Sequence, residues 1–188
     1  MINYGWTYPP TTPVHVLVMS FKWMGNGRSC LMRKPKKHEA LFWSIALPGF
    51  GQILNGEVFK GIVFIFLEIL INVQSNFNLS IIHSFNWEID KAIAVTEYQW
   101  LMFYPCLYMF AMWDAYRVAS GEVPAFSYLP FVFGAFLITV GLIFSSKLTI
   151  MGVIIGPVFL PMLFLIPGLV IGFVIKWLAN RLIRSQSG

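Results

Sequence analysis

Apolar positions in this chain fall in long runs, with neither the alternation of a half-buried strand nor the single stripe of a soluble amphipathic helix. Four runs approach the roughly 20 residues that a helix needs to cross a hydrocarbon core about 30 Å thick. They are Val58–Val73, Tyr98–Tyr116, Tyr128–Phe144 and Ile150–Leu178. The last contains Pro157, Pro161 and Pro167, so a kinked or broken span is predicted there. A fifth run, Leu41–Leu54, is about 14 residues long and carries Pro48, Gly49 and Gly51. That length suits a re-entrant or interfacial segment better than a span, and both readings stay open. The predicted fold is therefore an all-α integral membrane protein, with about four transmembrane helices and one short re-entrant or interfacial helix with a Gly-rich turn.

Charge sets the expected orientation. Lys22, Arg28, Arg33, Lys34, Lys36 and Lys37 precede the apolar runs, and Lys176, Arg181 and Arg184 sit at the end of the last one. The stretch Ser75–Glu97 holds Glu88, Asp90 and Glu97 against Lys91 alone. Basic flanks stay cytoplasmic, which predicts a multi-pass protein of the cytoplasmic membrane with both termini inside. Lys147, in a short turn on the outer side, is the exception to this pattern. The expected organisation is a basic, weakly structured segment over 1–37, a polytopic membrane domain over 38–182, and a tail over 183–188. Residues 1–31 mix aromatic, proline and glycine residues without a period; they are either an extension or an upstream start ahead of Met32.

Composition strengthens the membrane reading. The chain has 188 residues, of which 57% are hydrophobic and 11% charged. A soluble domain carries about 25% charged residues, enough to cover its surface. The net charge of +5 is concentrated at the ends of apolar runs, where it speaks for anionic lipid and not for nucleic acid. The expected partners are the lipid bilayer and either a membrane protein or further copies of the chain. Gly152 with Gly156, and Gly168 with Gly172, each recur at a four-residue interval that lets another helix approach closely. Packing within the chain is the preferred reading of both pairs, ahead of a dimer seam.

Candidate chemistry is sparse. Cys30 and Cys106 have no zinc spacing, and His15, His38 and His83 are scattered. Neither HExxH nor GxSxG occurs, so no catalytic set, metal site or cofactor is predicted. The densest local pattern is Pro48, Gly49, Gly51, Gln52, Asn55, Gly56 and Gly61, with Lys60 before the last glycine. It predicts two short helical pieces folded tightly together, with Gln52 and Asn55 bonding loose backbone groups. Glu68 lies in the middle of a predicted span, where a carboxylate costs about 2.5–3.5 kcal/mol on insertion scales. Gly61, Asn72 and Ser75 share its helix face, and Tyr104 or Tyr108 is the expected hydrogen-bond partner. Asp114 and Arg117, three apart, are expected to form an interfacial pair at the end of the second span.

The order PGFGQ-x-x-NG-x-x-x-KG, a hydrophobic helix, and a second span ending in Trp113-Asp114-Ala115-Tyr116-Arg117 resembles the TM2-like small bacterial membrane proteins. The resemblance covers roughly residues 41–119. The chain departs from the usual pattern in having Ile53-Leu54 in place of an aromatic pair and in lacking an Asp-Arg-Phe motif, and it adds two spans. The resemblance implies architecture and no particular activity. The leading expectation is an accessory or scaffold subunit acting by helix packing, and not an enzyme. The rival is a small oligomeric transporter or channel subunit that uses Glu68 and the broken last span.

Overall fold

Proline and glycine decide where this largely helical chain turns. The computed structural model describes residues 35–121 and 123–186, so the expectations for residues 1–34, with His15 and Cys30, lie outside the described residues. Helix α1 (Lys37–Ala46) ends where Leu47 is driven to an extended φ of −154°. Pro48 causes this, because its ring excludes the helical region for the residue before it. Gly49 follows at φ +108° and opens α2 (Phe50–Leu54). Gly56, at φ +86°, turns the chain again into α3 (Val58–Gln74).

The predicted outer stretch Ser75–Glu97 is itself helical. Asn76, at φ +53°, separates α3 from α4 (Phe77–Phe85), and the two helices are bent by 63°. Trp87, at φ +60°, precedes α5 (Ile89–Val95). The α4–α5 hairpin is closed by small polar side chains: the Thr96 hydroxyl lies 2.8 Å from Ser80 Oγ and 2.6 Å from the Ala92 carbonyl.

The second predicted span is divided. A single turn, α6 (Tyr98–Leu101), precedes α7 (Tyr104–Ser120), which carries Pro105 in its first turn. Proline is tolerated there because the first amides of a helix have no internal partner. Helix α8 (Leu129–Phe144) opens on Pro130 in the same way.

The last predicted span requires two corrections. Thr149–Ile150 (β1) and Val153–Ile154 (β2) form an antiparallel hairpin with Met151 and Gly152 at its tip, both at positive φ. Helix α9 then runs unbroken from Gly156 to Gln186. Gly152 and Gly156 therefore do not share a helix face; each occupies a left-handed turn position that glycine accepts cheaply. Pro161 and Pro167 lie inside α9 without dividing it, and the helix passes the expected boundary at residue 183.

Gly168 and Gly172 do serve close packing within the chain. A Cβ on Gly172 would lie 2.4 Å from Pro130 Cα, and one on Gly168 would lie 2.8 Å from the Phe133 carbonyl. The α8–α9 pair is thereby drawn backbone to backbone. Against it, Met109 and Met112 of α7 join Ala135 of α8 in the buried core, with Leu41 and Leu165 packed around them.

Apolar side chains dominate the outside as well. Phe59, Phe66, Phe136 and Ile166 are each more than 60% exposed. Only 28% of the most apolar window of α9 is buried, whereas a soluble core helix hides most of its surface. Among the described residues α9 is the one helix long and apolar enough to cross a membrane. The bent α3–α4 pair makes a second if it counts as one span. With 17, 17 and 16 residues, α3, α7 and α8 are shorter than the usual span.

Candidate functional site

The glycine pattern and the Asp114–Arg117 pair, more than fifty residues apart, meet in one place. Helix α1 runs antiparallel to α7, with the Ile45 carbonyl accepting from the Tyr108 hydroxyl. The chain reverses at Pro48–Gly49 and returns through α2, so residues 37–56 enter and leave at the same end of α7.

Glycine permits this contact. A Cβ on Gly51 would fall 2.1 Å from Ser44 Oγ, 2.5 Å from the Ala40 carbonyl and 2.7 Å from Ala115 Cβ. A Cβ on Gly49 would fall 2.4 Å from the Gly61 carbonyl, and one on Gly61 would fall 2.4 Å from Ile53. Gly56 differs, since nothing lies within 4 Å of its missing Cβ. Its positive φ alone accounts for glycine there.

Polar side chains fasten the hairpin. Gln52 is wholly buried; its amide nitrogen donates to the Ala111 carbonyl at 2.8 Å and to Asp114 Oδ2 at 3.3 Å. Asn55 donates to the Ala115 carbonyl at 2.9 Å. Asp114, 2% exposed, receives Arg117 at 2.9 Å and Lys60 at 3.5 Å on Oδ1. Lys60 also meets Glu57 at 2.7 Å, and the Arg117 guanidinium lies 4.9 Å from the centre of the Trp113 ring. Both carboxylate oxygens of Asp114 are therefore engaged, by two cations and an amide. A buried carboxylate held this way is suited to fixing helices and has no free oxygen to move a proton.

Sequence reasoning singled out Asp114 and Arg117 as a local pair but missed Lys60 and Glu57 as participants. The signal was Lys60 itself, a cation in the first turn of an apolar helix, with the acidic Glu57 three residues before it.

Glu68 lies about two turns further along α3, buried, with the Tyr104 hydroxyl 3.4 Å from its Oε1. Of the two tyrosines named from the sequence, Tyr104 reaches the carboxyl and Tyr108 turns to Ile45. Asn72 does not join them; its amide donates to Asn78 at 3.3 Å, at an exposed position. Ser75 is fully buried and bonds the Asn72 carbonyl. Tyr104 and Tyr108 also wall a cavity of about 380 Å³ between α4, α7, α8 and α9, lined throughout by apolar atoms of residues such as Phe77, Ile138 and Met162.

Elsewhere, Glu88 joins the α4–α5 turn to Lys91 and to His83 Nδ1, each at 2.7 Å. The Lys91 ammonium, and then His83, hold the Glu88 carboxyl below its ordinary range. No group of three or more His, Cys, Asp or Glu side chains able to hold a metal occurs among the described residues.

No protein-family model matches the chain, and no curated protein or solved structure is significantly similar to it. The likeness to TM2-like proteins therefore rests on the motif residues alone.

Proposed function

We propose that this chain is a polytopic protein of the cytoplasmic membrane, acting as an accessory or scaffold subunit through helix packing with a partner or with itself. One observation carries the reading: polarity is arranged inside out. Gln52, Asp114, Ser44 and Ser80 are buried, while Phe59, Phe66, Phe136 and Ile166 face outward. In water such a surface would be an aggregation liability, whereas in lipid it is the solvated face.

In this reading α3, α7, α8 and α9 are the four spans and residues 37–56 form a re-entrant hairpin. Their modest lengths are met by local thinning of the bilayer or by flanking residues that reach the interface. Lys60, Arg117 and Lys176 mark the cytoplasmic side, and Glu88 and Asp90 the outer side.

A scaffold role is supported by what the polar groups do. In the Gln52–Asp114 cluster the Gln52 and Asn55 amide nitrogens and both Asp114 oxygens bond to one another, to cations or to backbone, which fastens helices; Gln52 Oε1 and the Ser44 hydroxyl are buried without a partner. Native-membrane crosslinking and size analysis in mild detergent test it: capture of a defined partner or homo-oligomer is expected. A strictly monomeric protein that crosslinks to nothing would end the scaffold reading.

The transporter alternative rested on a broken last span and on Glu68. Continuity of α9 removes the first motive, leaving the buried Glu68–Tyr104 contact beside the apolar cavity. Unchanged ion or proton flux in liposomes carrying Glu68→Gln would remove the second.

A further inference from the structure

Helix α9 outruns its partner. Helix α8 begins at Leu129, and Gly172 is the residue of α9 that meets Leu129 and Pro130. Residues 173–186 therefore continue for roughly 20 Å beyond the start of α8, at 1.5 Å per residue. Measured from Gly156, Lys176 stands about 30 Å along the helix, one hydrocarbon thickness. If α9 crosses, its last ten residues lie at the membrane surface.

The stretch beyond Lys176 interleaves basic and exposed apolar positions around the helix. Lys176, Asn180 and Arg184 recur every four residues along one line with exposed Ile183 next to it, and Arg181 lies between Arg184 and Leu178 around the helix. Val174, Leu178 and Leu182 form the opposite row, exposed by 50%, 47% and 67%. The Arg181 guanidinium lies 4.4 Å from the centre of the Trp177 ring, which is itself half exposed. A guanidinium seated over an indole is oriented by it and keeps edge N–H groups for a bidentate acceptor. Such an acceptor, a negative phosphate lying over hydrocarbon, is the chemistry of an anionic phospholipid. Charge complementarity selects lipid over a second copy of this segment, because two copies side by side would bring like charges together.

We propose that Lys176–Gln186 is a recognition element for anionic phospholipid, with the headgroup phosphate held by Arg181 over Trp177 and the other basic residues of the stretch adding to the positive potential around it. The proposal rests on the membrane reading and gives the anionic-lipid contact expected from the charge distribution a specific site. Near an anionic surface each basic residue is worth roughly a fivefold preference.

The test reconstitutes the full chain into vesicles of equimolar phosphatidylcholine and phosphatidylglycerol. Resistance to alkaline extraction is checked first; the chain is then withdrawn in mild detergent and its retained lipid is quantified. The expected result is stable insertion with phosphatidylglycerol enriched several-fold over the bulk. The triple variant Lys176→Gln, Arg181→Gln, Arg184→Gln is expected to insert equally and retain lipid at the bulk ratio. Trp177→Leu leaves net charge unchanged and is expected to lower the enrichment, which a general positive charge would not explain. Insertion without enrichment overturns the lipid site and leaves the membrane reading standing. Failure to insert overturns both. Leu178→Cys disulfide dimers forming equally in vesicles with and without phosphatidylglycerol would assign this face to a second copy and also overturn the proposal.

Discussion

Replacing Gly51 by alanine adds one methyl group at the tightest point of the α1–α2 hairpin. That methyl carbon would start 2.1 Å from Ser44 Oγ, 2.5 Å from the Ala40 carbonyl and 2.7 Å from Ala115 Cβ. A serine hydroxyl can rotate away, but the Ala40 carbonyl belongs to the backbone of α1 and Ala115 to the wall of α7. Relief therefore requires α1 and α7 to move apart from α2. Overpacking of this kind costs about 1–3 kcal/mol. Separation also lengthens the bonds from Gln52 to Ala111 and Asp114, and a buried amide left without partners adds about 1–3 kcal/mol. A total near 3 kcal/mol lowers Tm by roughly 6–12 °C in a domain of this size. Gly56→Ala is the control, because its cost is conformational only: about 1–2 kcal/mol for the left-handed backbone. The assay is thermal unfolding of both variants in the same detergent, followed by fluorescence-detected size exclusion. Ser44→Gly should rescue Gly51→Ala in part and Gly56→Ala not at all. Equal destabilisation at the two glycines, or complete rescue by Ser44→Gly, would refute the three-way contact.

Asp114→Ala should destabilise more than Arg117→Ala in the same thermal assay, because Arg117 is 40% exposed and solvent screens it, while Asp114 also serves Gln52 and Lys60. Glu68→Gln should remain monodisperse after purification, since an amide offers the Tyr104 hydroxyl an acceptor, whereas Glu68→Lys should aggregate; equal yields would show that Glu68 is not enclosed. The Glu88 carboxyl is lowered on folding from a reference of 4.5, so its contribution is complete above that value and is lost as pH falls through the folded value below it. Hydrogen-exchange protection in the 83–91 turn, corrected for the intrinsic rate, should fall once the pH drops below the ordinary carboxylate range, and Glu88→Gln should abolish that dependence. A cysteine at Asp90 should be labelled from outside the cell, and one at Ser185 only after permeabilisation; outside labelling of Ser185 would defeat the proposed topology.

The glycine turn was legible because its cause is local. Pro48 forbids a helical Leu47, and glycines at short intervals announce close backbone approach whatever lies opposite. What lay opposite was not legible, since the bond from Gln52 to Asp114 joins residues far apart in a single sequence and no periodicity connects them. The break between α6 and α7 left a sign in Pro105, which begins helices more readily than it continues them, yet the apolar run across Leu101–Tyr104 hides it. The hairpin at Thr149–Ile154 was lost for the same reason. Val153 and Ile154 are as apolar as the helix after them, and only Gly152 and the Gly156-Pro157 pair distinguish a turn from a continuing span. The kink expected of α9 did not divide the helix, because the carbonyls freed by proline need not end a helix whose flank is packed closely on α8.

The α1–α2 hairpin is attached to α7 largely through that helix's main chain. Gln52 and Asn55 bond the carbonyls of Ala111 and Ala115, atoms that every amino acid supplies, so these bonds ask nothing of the two side chains, which full burial alone keeps small and apolar. A lesion at Asn55 thus has no chemical suppressor at Ala115, since a new side chain there would leave the same carbonyl unbonded and crowd Gly51 as well. Genetic repair of this junction is expected to come from shape, through smaller residues along α1, and pairwise exchange of side chains between the hairpin and α7 should not restore it.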